Sequence, residues 1–296
     1  MSAYNGIVNR AGLAVVAISL LCAGQEPSQH LIERVAAGFR YADGIAVEAG
    51  GSLLVADPPA DRILRLVFGK PPAVARAPSG GAAGLAFDPK GRLVICEAAA
   101  RRVARIEADG QVTVLADQYE GKPLNGPNDL AIRSNGHIYF TDPAFGSAED
   151  RRQLPFHGVF HIPPKGSLEV VWRGETRPAG IALSPDERTL YVTFADERAV
   201  RAFDLNRAGA ASNPRILIAR TGGIPLGIRA APDGNLLVAA GEHLEIYSPK
   251  GQLLEKIRIP ERAVNVAVHS SGGGIFVSAR NAVFHVARGA APQREP

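Results

Sequence analysis

Six times along the chain a small or polar residue, usually followed by Gly, opens an alternating apolar triplet, then a turn, then a β-rich run. The instances are DGIAVEAGGSLLVAD (43–57), AGLAFDPKGRLVICE (83–97), NDLAIRSNGHIYFTD (128–142), AGIALSPDERTLYVTF (179–194), LGIRAAPDGNLLVAA (226–240) and VNVAVHSSGGGIFVSA (264–279). They begin at residues 43, 83, 128, 179, 226 and 264, so their spacings run from 38 to 51 residues. That period holds four short strands; it is too long for a hairpin, and nothing beyond the N-terminus reads as more than about a turn of helix. Gly or Asp-Pro-type turns between alternating stretches make each unit open with a β-hairpin. A second amphipathic pair follows, as in RRVARIEADGQVTVLA (101–116) and GVFHIPPKGSLEVVW (158–172). The pattern predicts an all-β fold, a six-bladed β-propeller.

A ring of blades must close, because an open edge strand invites pairing with other chains. The sixth unit has only about three strands' worth of sequence before the Pro-containing tail RGAAPQREP. The missing strand is most simply supplied by HLIERVAAGFR (30–40), which predicts closure by an N-terminal strand paired into the last blade.

Ahead of that segment, MSAYNGIVNRAGLAVVAISLLCAG carries one basic residue, Arg10, and an apolar run from Ala11 to Cys22. The run is too short to span a bilayer but suits the apolar core of a signal peptide. Residues 1–24 are therefore expected to be removed near Gly24, leaving residues 25–296 as one propeller domain, exported to the periplasm or beyond the cell. Cys22 raises a lipid-anchored alternative, although attachment there normally wants a small residue before the cysteine and Leu21 stands in that place. No membrane association is expected once the signal is cleaved, and a monomer is the default.

The formal net charge is +4 at pH 7 and the pI is about 9.2, yet Lys and Arg are scattered singly or in pairs. No basic stripe interleaved with aromatics is present, so nucleic acid is not an expected partner. Beyond the leader the chain has one cysteine, Cys96, which excludes an internal disulfide and a cysteine-based zinc site. Its apolar surroundings, RLVICEA, mark it as a buried small hydrophobe rather than a nucleophile.

In an up-and-down blade, the start of the innermost strand and the loop after the second strand emerge at the same end. The first residues of the six units, Asp43, Ala83, Asn128, Ala179, Leu226 and Val264, should therefore ring one mouth. Loops carrying Asp57, Glu97, Asp142 and Asp196 should form a second ring around it. Convergent oxygen ligands suit a hard divalent cation, which can polarise an ester carbonyl or activate water. Asn and Asp at strand starts also bond their own backbone and hold turns, and the periodicity leaves both roles open.

Residues 96–146, CEAAARRVARIEADGQVTVLADQYEGKPLNGPNDLAIRSNGHIYFTDPAFG, resemble the gluconolactonase/regucalcin-like six-bladed propellers through almost their whole length. RPAGIALSPDERTLYVT (177–193) resembles the family's fourth blade and VNVAVHSSGGGIFVSARNAVFHV (264–286) its last. The resemblance implies hydrolysis of a lactone, or of a related ester, with one divalent metal, commonly calcium, at the funnel mouth. The implied metal positions are a Glu opening the first blade, the Asn of the Asn-Asp pair, an Asn in the fourth blade and an Asp in the fifth. Those places hold Asp43, Asn128, Ala179 and Leu226. Only Asn128 matches, with Asp43 a shorter substitute. Calcium takes about six to eight oxygens, so Asp43 and Asn128 alone are an insufficient shell. Ala98, Ala99 and Ala100 also replace a polar loop of the family.

Two expectations follow. One is hydrolysis at a divalent ion held weakly by Asp43 and Asn128, with Asp129 or Asp142 activating water. The other is a non-catalytic funnel, lined by Ala83, Ala179, Leu226 and Val264, that binds a small molecule or a partner protein. Arg229, which interrupts an apolar innermost strand, is a third candidate, expected to pair with Asp43 or Asp129 where a cation would act. His157 and His161 lack a third ligand nearby, and Glu242-His243 reads as a solvated loop.

Overall fold

The computed structural model describes residues 30–269 and 274–288. The expected leader, and with it Cys22, lies outside the described residues. Six four-stranded antiparallel sheets form the blades, and each runs outward in chain order. The innermost strands are Ile45–Val47, Ala82–Phe87, Leu130–Ile132, Pro178–Leu183, Pro225–Ala230 and Ala263–Val268. Each touches the innermost strands of both neighbours, the sixth against the first included, so the six surround one axis.

Burial follows position in the blade. The second strands Leu53–Asp57, Ile138–Asp142 and Leu236–Ala240 are buried throughout, because neighbouring blades cover both their faces. This is why they read as continuous apolar runs rather than alternating ones. Outermost strands such as Ala73–Arg76 are largely exposed. Apolar clusters between adjacent blades make up the core; one joins Leu54, Ile63, Leu85 and Ile95 of blades 1 and 2.

His30–Ala37 pairs antiparallel with Ala282–Arg288 and becomes the outermost strand of blade 6, so the ring closes as the sequence predicts. A short hairpin, Gln118–Tyr119 with Lys122–Pro123, lies between blades 2 and 3. Its turn needs left-handed backbone at Glu120 and Gly121 (φ 49° and 75°), which the glycine adopts freely.

Close packing near the axis explains the glycine in the signature. A Cβ on Gly84 would stand 2.6 Å from the Asp129 Cα, and one on Gly227 would meet Asn265 in the same way (2.6 Å from its Cα). Three hydroxyls stitch adjacent blades. Thr141 Oγ1 donates to the Ala179 carbonyl, Thr193 Oγ1 to the Leu226 carbonyl and Ser278 Oγ to the Asp43 carbonyl, each at 2.6 Å. The same oxygens accept from the backbone N–H of Asp129, Gly180 and Asn265 in their own blades. The blades are thus tied 3 to 4, 4 to 5 and 6 to 1, whereas blade 2 reaches blade 3 directly through Gly84 N–H donating to the Asn128 carbonyl (2.7 Å).

Candidate functional site

Two cavities lie along the axis. The upper one, about 600 Å³, is lined by Asp43, Ala83, Asn128, Leu226 and Val264, so five of the six unit-opening residues meet there. The sixth, Ala179, is fully buried behind this wall, and it contributes its carbonyl to Asn128 Nδ2 (3.1 Å) and to Thr141. The lower cavity, about 450 Å³, is ringed by the fourth residue of each unit: Ala46, Ala86, Ala131, Ala182, Arg229 and Ala267. Five alanines leave the axis open, and Arg229 fills it from blade 5.

Arg229 reaches up to Asp129. Its Nη1 donates to Asp129 Oδ2 at 3.1 Å and to the Ile228 carbonyl at 2.7 Å. Asp129 is fully buried, lies on the floor of the upper cavity, and accepts Leu130 N–H at its Oδ1 (3.0 Å). The expected pairing of Arg229 thus falls on Asp129 rather than Asp43, and the pair separates the two cavities. Both oxygens of Asp129 are already bonded.

Asp43 is different. Its carboxyl lines the upper cavity with no hydrogen-bond partner among the described residues. Part of the residue stays open to the cavity, but protein crowds the carboxyl closely, and this loss of water, helped by the charge of Asp129, pushes its pKa up to about 7. Tyr41, nearby, is pushed up to about 12 by burial and by Asp43, against the opposing pull of Arg262 and Arg280.

Asn128 shares the cavity with Asp43. Because its Nδ2 is engaged with the Ala179 carbonyl, its Oδ1 remains free to accept.

Asp142 does not line the funnel. It sits fully buried at the end of the second strand of blade 3, where its oxygens accept the N–H groups of Asn125 and Gly126, each at 2.8 Å. Burial pushes it up to about 7, against those two bonds and the Arg101 charge. Other carboxylates hold similar loops. Asp57 accepts from the backbone of Arg40 and Tyr41, Asp196 from that of Arg177 and Glu245 from that of Gly222.

His161 bonds His137 (2.7 Å) and Glu169 (2.9 Å), while His157 accepts from Ala144 N–H, so the two histidines work separately. Glu242 is exposed beside Arg258. Cys96 is fully buried, and burial raises its thiol further. No group of three or more His, Cys, Asp or Glu side chains among the described residues is placed to hold a metal ion.

The cavity wall also holds residues that lie outside the repeated unit: Tyr41, Arg177, Ile224 and Arg262. Each stands two places before a unit-opening residue, and that offset is the signal that would have found them. Arg177 is bound to Asp196 and lies over the Phe145 ring, 5.3 Å from its centroid. Arg262 has no ion-pair partner among the described residues. Asn265 replaces Gly at the second signature position, as Asp129 does three blades away across the axis.

Fold and funnel together define a six-bladed propeller with one polar-floored axial site. The sequence matches the family described as SMP-30/Gluconolactonase/LRE-like region over residues 42–278, and the chain belongs to that family. A gluconolactonase of Zymomonas mobilis is 29% identical over 286 residues, spanning 86% of this chain and 80% of that protein. A gluconolactonase structure from Xanthomonas campestris superposes with a TM-score of 0.78 at 30% identity, covering 86% of this chain and 88% of the other. The same fold is found in a regucalcin from Agrobacterium tumefaciens, described as a calcium-binding protein, with a TM-score of 0.72, 18% identity and coverage of 86% and 92%.

Proposed function

We propose that the protein is a lactonase-type hydrolase whose reaction centre is the upper funnel. The observation that carries this is Asp43: a carboxyl without a hydrogen-bond partner among the described residues, on a cavity large enough for a small ring, pushed up to about 7, and lining the same cavity as Asn128. A general base works best when its pKa lies near the operating pH. A water molecule held by Asp43 and Asn128 adds to the lactone carbonyl and gives its proton to Asp43. The tetrahedral species collapses, the ring C–O bond breaks, and the departing oxygen takes that proton back. Arg262, lining the same cavity without an ion-pair partner among the described residues, is the cation available to the developing oxyanion. Asp129 sets the electrostatics of the floor, and Asp142 holds the loop ahead of Asn128.

Calcium, which the regucalcin neighbour is described as binding, fits this donor set poorly. The funnel offers one free carboxylate and one amide oxygen, against the roughly six to eight oxygens calcium takes. Asp129 is committed to Arg229, Ala179 offers only an engaged carbonyl, and Leu226 is hydrocarbon. No step is assigned to a metal. A lactone panel assayed with and without EDTA is the test, and turnover should be insensitive to the chelator. Turnover that disappears with EDTA and returns with calcium overturns the metal-free mechanism.

A second reading, capture of a small molecule without turnover, is favoured by the hydrocarbon at Ala83, Leu226 and Val264 on the same wall. We further infer that the chain is exported, from the apolar run ending at Cys22, and that it acts as a monomer. Among the described residues, no helix is long and apolar enough to cross a membrane.

A further inference from the structure

We infer that the upper funnel selects lactones with a hydrocarbon body, aryl or alkyl, and discriminates against polyhydroxylated lactones; this rests on the hydrolase reading above. The lining divides by blade. Blades 1, 3 and 6 bring Tyr41, Asp43, Asn128, Asp129, Arg262 and Asn265, and blade 4 brings the Arg177–Asp196 pair. Blades 2 and 5, which face one another across the six-fold ring, bring only hydrocarbon and backbone: Ala83 and Ala98 from one, Ile224, Leu226 and Gly227 from the other. A molecule seated on Asp43 and Asn128 is therefore flanked on opposite sides by apolar surface.

The backbone on those two sides has little to offer a hydroxyl. Ala98 N–H is donated to the Gly81 carbonyl, and the Leu226 carbonyl accepts from Thr193 Oγ1. The Arg177–Asp196 pair at the rim is spent on itself and on the Phe145 ring. Asp129 is spent on Arg229. Asp43 and Asn128 are needed by the reacting ester and water. With Arg262 serving the oxyanion, what remains for ring hydroxyls is the Tyr41 phenol of blade 1 and the Asn265 amide of blade 6.

A sugar lactone carries hydroxyls around its whole ring, so those turned toward blades 2 and 5 lose water without gaining a partner. An apolar pocket penalises one such hydroxyl by about a hundredfold. The funnel is open at its mouth, which leaves some hydroxyls in water, so the expected overall preference is smaller, at least about thirtyfold. A flat hydrocarbon body instead buries its two faces against the two walls.

The test compares dihydrocoumarin with D-glucono-1,5-lactone as substrates, and their unreactive lactams, 3,4-dihydro-2-quinolinone and gluconolactam, as ligands in calorimetric titration. Expected is a kcat/KM ratio, and a ratio of lactam dissociation constants, of at least about thirty in favour of the hydrocarbon body. Leu226→Gln, close in size and with its backbone bond to Thr193 intact, should bring both ratios toward one. Ala98→Ser, on the opposite blade, should do the same if Leu226→Gln fails to fold. Selective lactam binding with no turnover of either lactone sinks the hydrolase reading and leaves the selectivity standing. Equal or tighter binding of gluconolactam, or binding of neither lactam, overturns the selectivity whatever the turnover.

Discussion

Asp43 at the opening of blade 1 and Asp142 in the second strand of blade 3 are both pushed up to about 7, in each case chiefly by burial. Asp43 faces a cavity and has no hydrogen-bond partner among the described residues. Asp142 lies away from the cavity with two backbone N–H groups aimed at its oxygens. The same displacement of proton affinity thus belongs to a group with room for a reactant and to one that pins a loop. A shifted pKa finds crowded carboxyls; the space around the oxygens separates chemistry from architecture.

The contrast can be broken by substitution. Asp43→Asn should lower kcat/KM for a lactone by about 10²- to 10⁴-fold, the range of a lost general base, with thermal stability no lower than the parent's. Steady-state kinetics with a melting curve checks both halves, and full activity in this variant would end the assignment. Arg229→Ala should destabilise the fold by about 3–5 kcal/mol in urea unfolding, because it leaves Asp129 buried without its cation. In whatever folds, the uncompensated charge should move the midpoint of the pH–rate profile above its parental value.

Asp142→Ala should cost about 2–4 kcal/mol through two stranded N–H groups, while kcat/KM of the folded protein changes by less than about threefold. A large loss of turnover at full stability would reverse the roles given to the two aspartates. The last effect is one of slope. A carboxyl raised from its ordinary value of 3.8 to about 7 keeps, in the folded state, a proton that the unfolded chain has already lost, so its contribution to stability declines as pH climbs across that window. Asp43→Asn removes one such contribution. Its stability relative to the parent should therefore rise from pH 4 to pH 7, measured by urea unfolding at each pH, and a flat difference would mean that Asp43 titrates normally. Over the same window the parent's kcat/KM should increase with pH and level off above about 7 as Asp43 ionises.

Much of this was legible in the chain because a propeller converts sequence period into angular position. Once six units are aligned, Asp43 and Asn128 must share a mouth, and the strand missing from blade 6 must come from somewhere unpaired. Arg229 among five alanines is visible in the same alignment, and so is its need for a carboxylate; which of two aspartates it would meet is not. The role of Asp142 was illegible for another reason. A loop clamp and a water-activating base place the same residue at the same strand end, and only the direction of the Asn125 and Gly126 N–H groups tells them apart. Ala179 shares the alignment of the mouth residues but is fully buried and stays out of the cavity lining, which a one-dimensional pattern cannot register. The stitching by Thr141, Thr193 and Ser278 also escaped, since a hydroxyl ending an apolar strand has many uses.

The pairing of His30–Ala37 with Ala282–Arg288 has a temporal side. The first blade material to leave the ribosome finds its partner only when nearly the whole polypeptide has been made, so five blades must wait as an unclosed arc with two sticky rims. Loop closure over such a span is entropically slow. Cooperative locking of the circle is thus deferred to the end of synthesis, and clipping a few residues from either of these paired segments should harm assembly far more than their modest buried area implies.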